Sequence, residues 1–240
     1  SLNSSASVRS SGLMRQSIHG ELLGHLTLSK RGMSKEGKLD PERYLLTARE
    51  VEAITALVKD EPHVTLVAPR LALSGLISNG RASTIFVAEA IEPAAMDGLQ
   101  QNILSEAELK SGMYNNVRKQ LDPARDEVVE LSEGLVDILH LAPGGQAAVL
   151  TNTLTGQANA LDITVGHTFN TGNAGSNDKF AFFSLALARN LLDAEGRADR
   201  LTILLDDAGQ TEAMRERLLP KLRAAGFDVE LQTWQELSSF

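Results

Sequence analysis

Two strand–helix–strand runs, one toward each end of the chain, constrain the fold more than any other feature of its 240 residues. In the first, "GHLTLSKRG" (Gly24–Gly32) alternates as a strand does, and "MSKEGKLDPERY" follows as a polar loop. "LTAREV" then carries a helix start. Thr47 can cap it, Glu50 can reach back three residues to the cap, and Leu46 and Val51 occupy the two staple positions. Val51, Ile54, Leu57 and Val58 give one apolar face, Glu61-Pro62 ends the helix, and "HVTLVA" predicts the next strand. The second run repeats the plan. "RLTILLDD" (Arg200–Asp207) is a strand, and "TEAMRERLLPKLRAA" is a helix with Met214, Leu218 and Leu222 at four-residue spacing. Gly226 ends that helix and "FDVELQT" is the last strand. Pro220 is expected to kink the helix or to begin a second short one. Such paired units are the ingredients of an α+β, split ferredoxin-like βαβ layer.

Residues 69–199 differ in character. "RLALSGLISNGRASTIFVAEAI" reads as two strands joined by the hairpin signal Asn79-Gly80. A polar stretch with short helical turns follows, from Pro93 to Asp126. "EVVEL" is a strand, "SEGLVDILHL" a short helix with Ser132 as cap, and "AAVLTN" and "LDITVGHTF" are strands. "NTGNAGSNDK" is expected to be a mobile loop, "FAFF" a strand, and Ser184 the cap of "LALARNLLD". The stretch predicts a β-rich second subdomain inserted into the first. The division expected is a tail or stalk helix at 1–20, a two-segment α+β subdomain at 21–68 and 200–240, and the insert at 69–199. Met14, Ile18 and Leu22 recur every four residues and Gly20 sits where a helix would stop, consistent with a helix over roughly residues 5–19 or with a frayed terminus.

Chemistry is hard to find. The absence of cysteine excludes disulfides, thiolate metal sites and cysteine nucleophiles. A net charge of −8 argues against nucleic acid as a partner, and 4% aromatic residues argue against stacking platforms. No apolar run approaches the ~18 residues of a membrane span. His19, His25, His63, His140 and His167 fall in no ligand spacing and read as surface or satisfied core residues. Asp206-Asp207 lie between a strand and a helix and read as capping acids. Ser132 and Ser184 lack the GxSxG frame and read as caps. "GNAGSNDK" (172–179) lacks the phosphate-loop spacing, and "PGGQ" (143–146) is a turn whose glycines allow positive φ. No catalytic, cofactor-binding or metal-ligating residue is expected.

Three runs, taken in order, resemble the periplasmic core domain of MacB-like permeases, within the MacB, FtsX and Lol class of ABC transporter permeases. "LTAREVEAITALVKDEPHVTLVAPRLALSGLISNGRASTIFVAEAIEP" resembles its first part, with an acid–proline step at Glu92-Pro93. The run from Val129 to Leu192, with its "APGG" turn and "GHTFNTG" step, resembles its later part. Arg200–Leu237 resembles the closing strand–helix–strand before a membrane helix. The resemblance implies a membrane-proximal, porter-like α+β subdomain with an inserted β-rich distal one. It implies no enzyme activity and no cofactor, the ATPase being a separate domain or subunit. The implied role is an extracytoplasmic domain in the periplasm, anchored in the inner (cell) membrane. There it would couple ATP-driven motion of membrane helices to export, lipoprotein handling or partner signalling. The implied partners are an ABC ATPase, a second permease subunit, and a periplasmic protein, lipoprotein or exported substrate. Ser1–Gly20 is then expected to extend a first membrane helix, and "TWQELSSF" to approach a second. In a ferredoxin-like layer the link between the second and third strands is expected to leave from the edge that holds the termini, aiming the insert at the membrane, unless the strand His63–Ala68 continues directly into the insert and carries it outward. The competing reading is a free-standing periplasmic ligand-binding protein, with an unrecognised hydrolase behind it.

Overall fold

The computed structural model describes residues 12–14, 16, 21–101, 110–111 and 118–238. The helix expected over residues 5–19 lies outside this set except at 12–14 and 16, of which 12–14 are helical.

Strand β1 (Leu26–Lys30) is bounded by Gly24 and Gly32, both at positive φ (64° and 88°). The expected loop after it instead holds two single-turn helices, α1 (Met33–Glu36) and α2 (Pro41–Tyr44). Asp40 and Pro41 make the second of these local: Asp40 Oδ1 accepts the Arg43 N–H, and proline favours the first helical position. Helix α3 (Ala48–Lys59) begins with a complete capping box. Thr47 Oγ1 accepts the Glu50 N–H (3.1 Å), and Glu50 Oε1 accepts the Thr47 N–H (3.0 Å).

Strand β2 (Val64–Ser78) corrects the sequence reading, because the two strands expected around Pro69 are one strand of 15 residues. Proline is tolerated there since β2 has β8 as its one strand neighbour over Val64–Arg70. Strand β3 (Ser83–Ile91) returns through a turn in which Asn79 Oδ1 accepts the Arg81 and Ala82 N–H groups and Gly80 takes φ 88°. There follow α4 (Pro93–Gln100), β4 (Val128–Ser132), α5 (Glu133–Ile138), β5 (Gln146–Asn152) and β6 (Ala158–Phe169). Then come α6 (Ala174–Asn177), β7 (Phe180–Ser184), α7 (Leu185–Leu192) and β8 (Arg200–Leu205). A 3₁₀ turn (Ala208–Gln210), α8 (Thr211–Ala224), β9 (Val229–Thr233) and α9 (Trp234–Ser238) complete the order. Helix α8 runs unbroken through Pro220, so no second helix begins there.

The strands form two connected pieces. One is antiparallel in the order β2–β8–β1–β9. Helices α3 and α8 cover one face of it, where Leu26, Leu28, Ile54, Val58, Ile203, Met214 and Leu218 are buried together. The other is a ring: β2 pairs with β3, β3 with β7, β7 with β4, β4 with β6, β6 with β5, and β5 with β2 again. Six strands so joined close a barrel. Its interior holds Leu73, Ile77, Phe86, Val129, Leu131, Val149, Ile163 and Phe183. A Cβ on Gly75 would lie 2.1 Å from the Leu150 carbonyl oxygen, so glycine is required where β2 and β5 draw together. A third core (Leu22, Ile91, Met96, Leu99, Leu121, Phe169 and Phe182) lies outside the barrel, under α4.

The two halves of β2 belong to different pieces. Val64–Arg70 pairs with β8, and Leu71–Ser78 pairs with β3 and β5. The start of β1 lies beside the end of β9, with Leu26 opposite Thr233. Since β1 and β2 are both antiparallel to β8, they run in the same direction, away from that edge. The barrel therefore leaves from the opposite edge. The link does not emerge beside the start of β1, because a strand–helix–strand unit makes its two strands parallel in direction, and β2 runs on directly into the insert, the alternative left open by the sequence.

Candidate functional site

The face of the four-stranded piece not covered by α3 and α8 presents Thr27, Ser29, Arg70 and Thr202. This face floors a groove of about 1150 Å³. The groove continues onto the outer wall of the barrel, where Leu76, Val87 and Leu150 line it. On that wall Leu76 is directly opposite Ile85 on one side and Leu150 on the other, making an exposed apolar row across β3, β2 and β5.

At the point where β2 changes partners the groove holds a charge cluster. Arg70, 3% exposed, sends Nη1 to the Leu22 carbonyl (2.8 Å) and to Thr202 Oγ1 (3.3 Å), and its Nη2 is 3.6 Å from Glu89 Oε2. Arg200 donates to Glu89 Oε2 (2.5 Å) and to Asp199 Oδ1 (2.7 Å). Asp199 Oδ2 accepts the Ala72 N–H, and the Asp199 N–H donates to the Arg70 carbonyl (2.9 Å). Burial, and next the Arg200 charge, pull the Arg70 guanidinium down to about 10. Burial pushes the Asp199 carboxyl up. Burial also opposes the charge on Arg200, yet Glu89 and Asp199 hold that guanidinium above its usual range. Arg70 Nε is buried with no hydrogen-bond partner among the described residues. Two guanidiniums against two carboxylates make the cluster neutral. Its members bond chiefly to one another and to backbone, so its chemistry is that of a clamp joining β2, β3 and β8.

The residues singled out from sequence do not converge. His25 is buried, and its Nδ1 accepts the Leu205 N–H (2.9 Å). His63, at φ 71°, pairs with Asp206 at the surface (2.8 Å), and His140, at φ 48°, is exposed. His19 lies outside the described residues. Asp207 caps the 3₁₀ turn through the Gly209 N–H, as expected of a capping acid. Ser184 caps α7 through the Leu187 N–H. Ser132 does not cap α5. Its Oγ accepts the Phe180 N–H instead, because it ends β4 beside the start of β7. The loop 170–179 is tied by its own side chains: Ser176 Oγ donates to Thr171 Oγ1, and Asn177 Oδ1 accepts the Thr171 N–H. In the turn 143–146, Gly144 alone takes positive φ. Among the described residues no group of three or more histidines and acids could hold a metal ion, and no helix is long and apolar enough to cross a membrane.

Sequence reading missed Arg70, Glu89 and Asp199, and also Glu130, which is fully buried on β4. One signal was available in "APRLAL" and "VVELS": a charge set inside an apolar strand, which must find a buried partner.

No family model matches the sequence, and no curated protein matches it. Solved structures do. The fold is similar to the periplasmic region of MacB from Actinobacillus actinomycetemcomitans, with a TM-score of 0.57 and 13% identity over 93% of this chain and 94% of that one. It is similar also to the extracellular domain of YknZ, a noncanonic ABC-type transporter from Gram-positive bacteria. There the TM-score is 0.54 and the identity 11%, over 88% of this chain and all of the other. The chain thus has the mixed α+β fold of a MacB-like periplasmic domain.

Proposed function

We propose that this chain is the extracytoplasmic domain of an ABC transporter permease and works by transmitting motion, with no catalytic step of its own. The observation that carries the reading is that the first strand starts beside the end of the last. Leu26 at the start of β1 is opposite Thr233 at the end of β9, while the barrel leaves from the far edge of the same sheet. Motion of two membrane helices joined at the near edge would then reach the barrel through the sheet. On this reading residues 21–68 and 200–240 form a split ferredoxin-like, porter-like layer near the membrane, and residues 69–199 form the distal insert. The strand order β2–β8–β1–β9, with both crossover helices on one face, supports that division. The clamp of Arg70, Glu89, Asp199 and Arg200 lies where the two would join. The partners on this reading are an ABC ATPase and a second permease subunit. The event served is export, lipoprotein handling or signalling to a periplasmic partner.

These 240 residues hold no cysteine, so Arg81→Cys at the tip of the β2–β3 turn, in a full-length protein cleared of any cysteine elsewhere, tests the reading. A membrane-impermeant thiol reagent should label it in intact cells, and an ABC ATPase should co-purify with the membrane-extracted protein. Labelling only after lysis, or a full-length protein released without detergent, overturns the reading. The groove favours one alternative, a free-standing periplasmic ligand-binding protein. Tight binding of a small metabolite by a detergent-free full-length protein would establish that alternative.

A further inference from the structure

Glu130 projects from the middle of β4 to the outside of the barrel and is completely buried. Its Oε1 accepts the Gln120 N–H (2.6 Å) and lies 2.8 Å from Nδ1 of His167 on β6. Its Oε2 is buried with no hydrogen-bond partner among the described residues. What covers it is the strip Arg118–Leu121. Gln100 of α4 grips this strip from both sides, its Oε1 accepting the Lys119 N–H (2.7 Å) and its Nε2 donating to the Lys119 carbonyl (2.8 Å). Leu121 is part of the third core, and the Lys119 ammonium lies over Phe169 and Phe182 (5.9 and 5.7 Å).

We propose that Glu130 and His167 form a proton-operated latch, which fastens Arg118–Leu121 over the third core while Glu130 is protonated and lets the strip lift when that proton is lost.

The groups around Glu130 set the direction. Strand β7 places apolar Phe182 opposite it, and β6 supplies His167. Helix α4 supplies neutral Gln100, while its Asp97 is paired with Arg118 (3.6 Å). The covering strip supplies Lys119, which Glu21 also influences. Burial raises the Glu130 carboxyl to about 8, and the Gln120 N–H and the Lys119 charge only partly offset it. Burial holds His167 below its usual value, so near neutral pH the pair carries one proton on each partner and no charge. A carboxylate at Glu130 would leave Oε2 charged and unsolvated in a fully buried site opposite Phe182. Lifting the strip brings water to it.

The sign follows from linkage. The folded-state value of Glu130 lies above the ordinary carboxylate value, so its contribution to closure is full below about pH 4 and lost as pH rises through about 8. His167 acts oppositely. Its contribution is full above its ordinary value and lost as pH falls through the lowered one. Burial also lowers the Lys119 ammonium, so loss of its charge at alkaline pH favours closure, and the alkaline opening belongs to Glu130. The inference does not depend on the permease reading.

Hydrogen exchange of the Lys119 and Gln120 amides, corrected for the intrinsic rate, tests the latch at about pH 6.5 and about pH 9. Protection should fall at least about tenfold in the native protein and stay constant in Glu130→Gln, which keeps the Oε1 acceptor but cannot ionise. Equal protection at both pH values in the native protein, or the same fall in Glu130→Gln, overturns the proposal. If that variant does not fold, ¹³C NMR of the native Glu130 carboxyl decides. A midpoint near 8, with the Gln120 amide shift titrating alongside, supports the latch, and a midpoint in the ordinary carboxylate range overturns it.

Discussion

Thr47 and Glu50 answer each other's backbone N–H groups, and Glu50 also meets Lys30 Nζ of β1 at 3.2 Å. Thr47→Ala should therefore lower stability by about 1 kcal/mol, the usual cost of a lost N-cap. Glu50→Ala should cost no less, because it removes both the return bond and a half-buried ion pair worth up to about 1 kcal/mol. Urea melts of the two variants check both figures, and an unchanged midpoint for either would show that its bonds contribute nothing. Although partial burial of Glu50 pushes its carboxyl up, Thr47 and Lys30 prevail and hold it below its usual range. Its contribution is thus present above the unfolded carboxylate value of about 4.3 and is lost as pH falls through the lower folded value. The capping box was legible in the sequence because its partners are three residues apart. The bonds of Arg70 and Glu130 were not. Their partners Glu89, Thr202 and His167 are brought in by strand pairing, Leu22 and Gln120 come from segments outside the strands, and neither charge has a local pattern that names them.

At the scale of elements, helix and strand types were legible wherever one face is apolar, as along Val51, Ile54 and Val58. Continuity was not. The strand ending at Ala68 and the one beginning at Arg70 read as two, yet Pro69 lies within one strand, on a stretch paired with β8 where its missing donor is not needed. Pro220 read as a kink or the start of a second helix, and α8 continues through it as one helix. Ring closure was equally hidden, since β3–β7 and β4–β6 are parallel pairs between strands distant in sequence. The clamp at the middle of β2 makes a separate prediction. Arg70→Leu should destabilise by about 3 kcal/mol, because it strips the Leu22 carbonyl of a buried donor and leaves Glu89 with one guanidinium. Arg70→Leu combined with Glu89→Leu should regain part of that loss, so a double-mutant cycle with no coupling would remove the clamp from the account.

For the whole molecule, the repeated strand–helix–strand pattern was legible in the sequence, and the edge from which β2 leaves its sheet was not. Spin labels at Glu21→Cys and Gln235→Cys should lie within roughly 20 Å of each other, as sites flanking adjacent strands must. A separation above about 35 Å would place the two ends on different edges. Gly24 is unsuitable for labelling because it holds φ 64° and a Cβ there would meet the Ile203 carbonyl oxygen at 2.8 Å. The sharing of β2 between the two pieces also bears on the order in which the chain acquires its structure. Strand β8 must find β2 and β1 across a loop of roughly 130 residues, a search whose entropy grows with the logarithm of loop length. Once the ring of β2, β3, β7, β4, β6 and β5 has closed, α7 leads from β7 almost directly to β8, and the Asp199 N–H already meets the Arg70 carbonyl. The effective loop then shrinks to a few residues, easing closure by roughly 3 kcal/mol. Refolding should accordingly show two kinetic phases. Probes in the barrel should report the first, and Trp234, against β9, should report only the second.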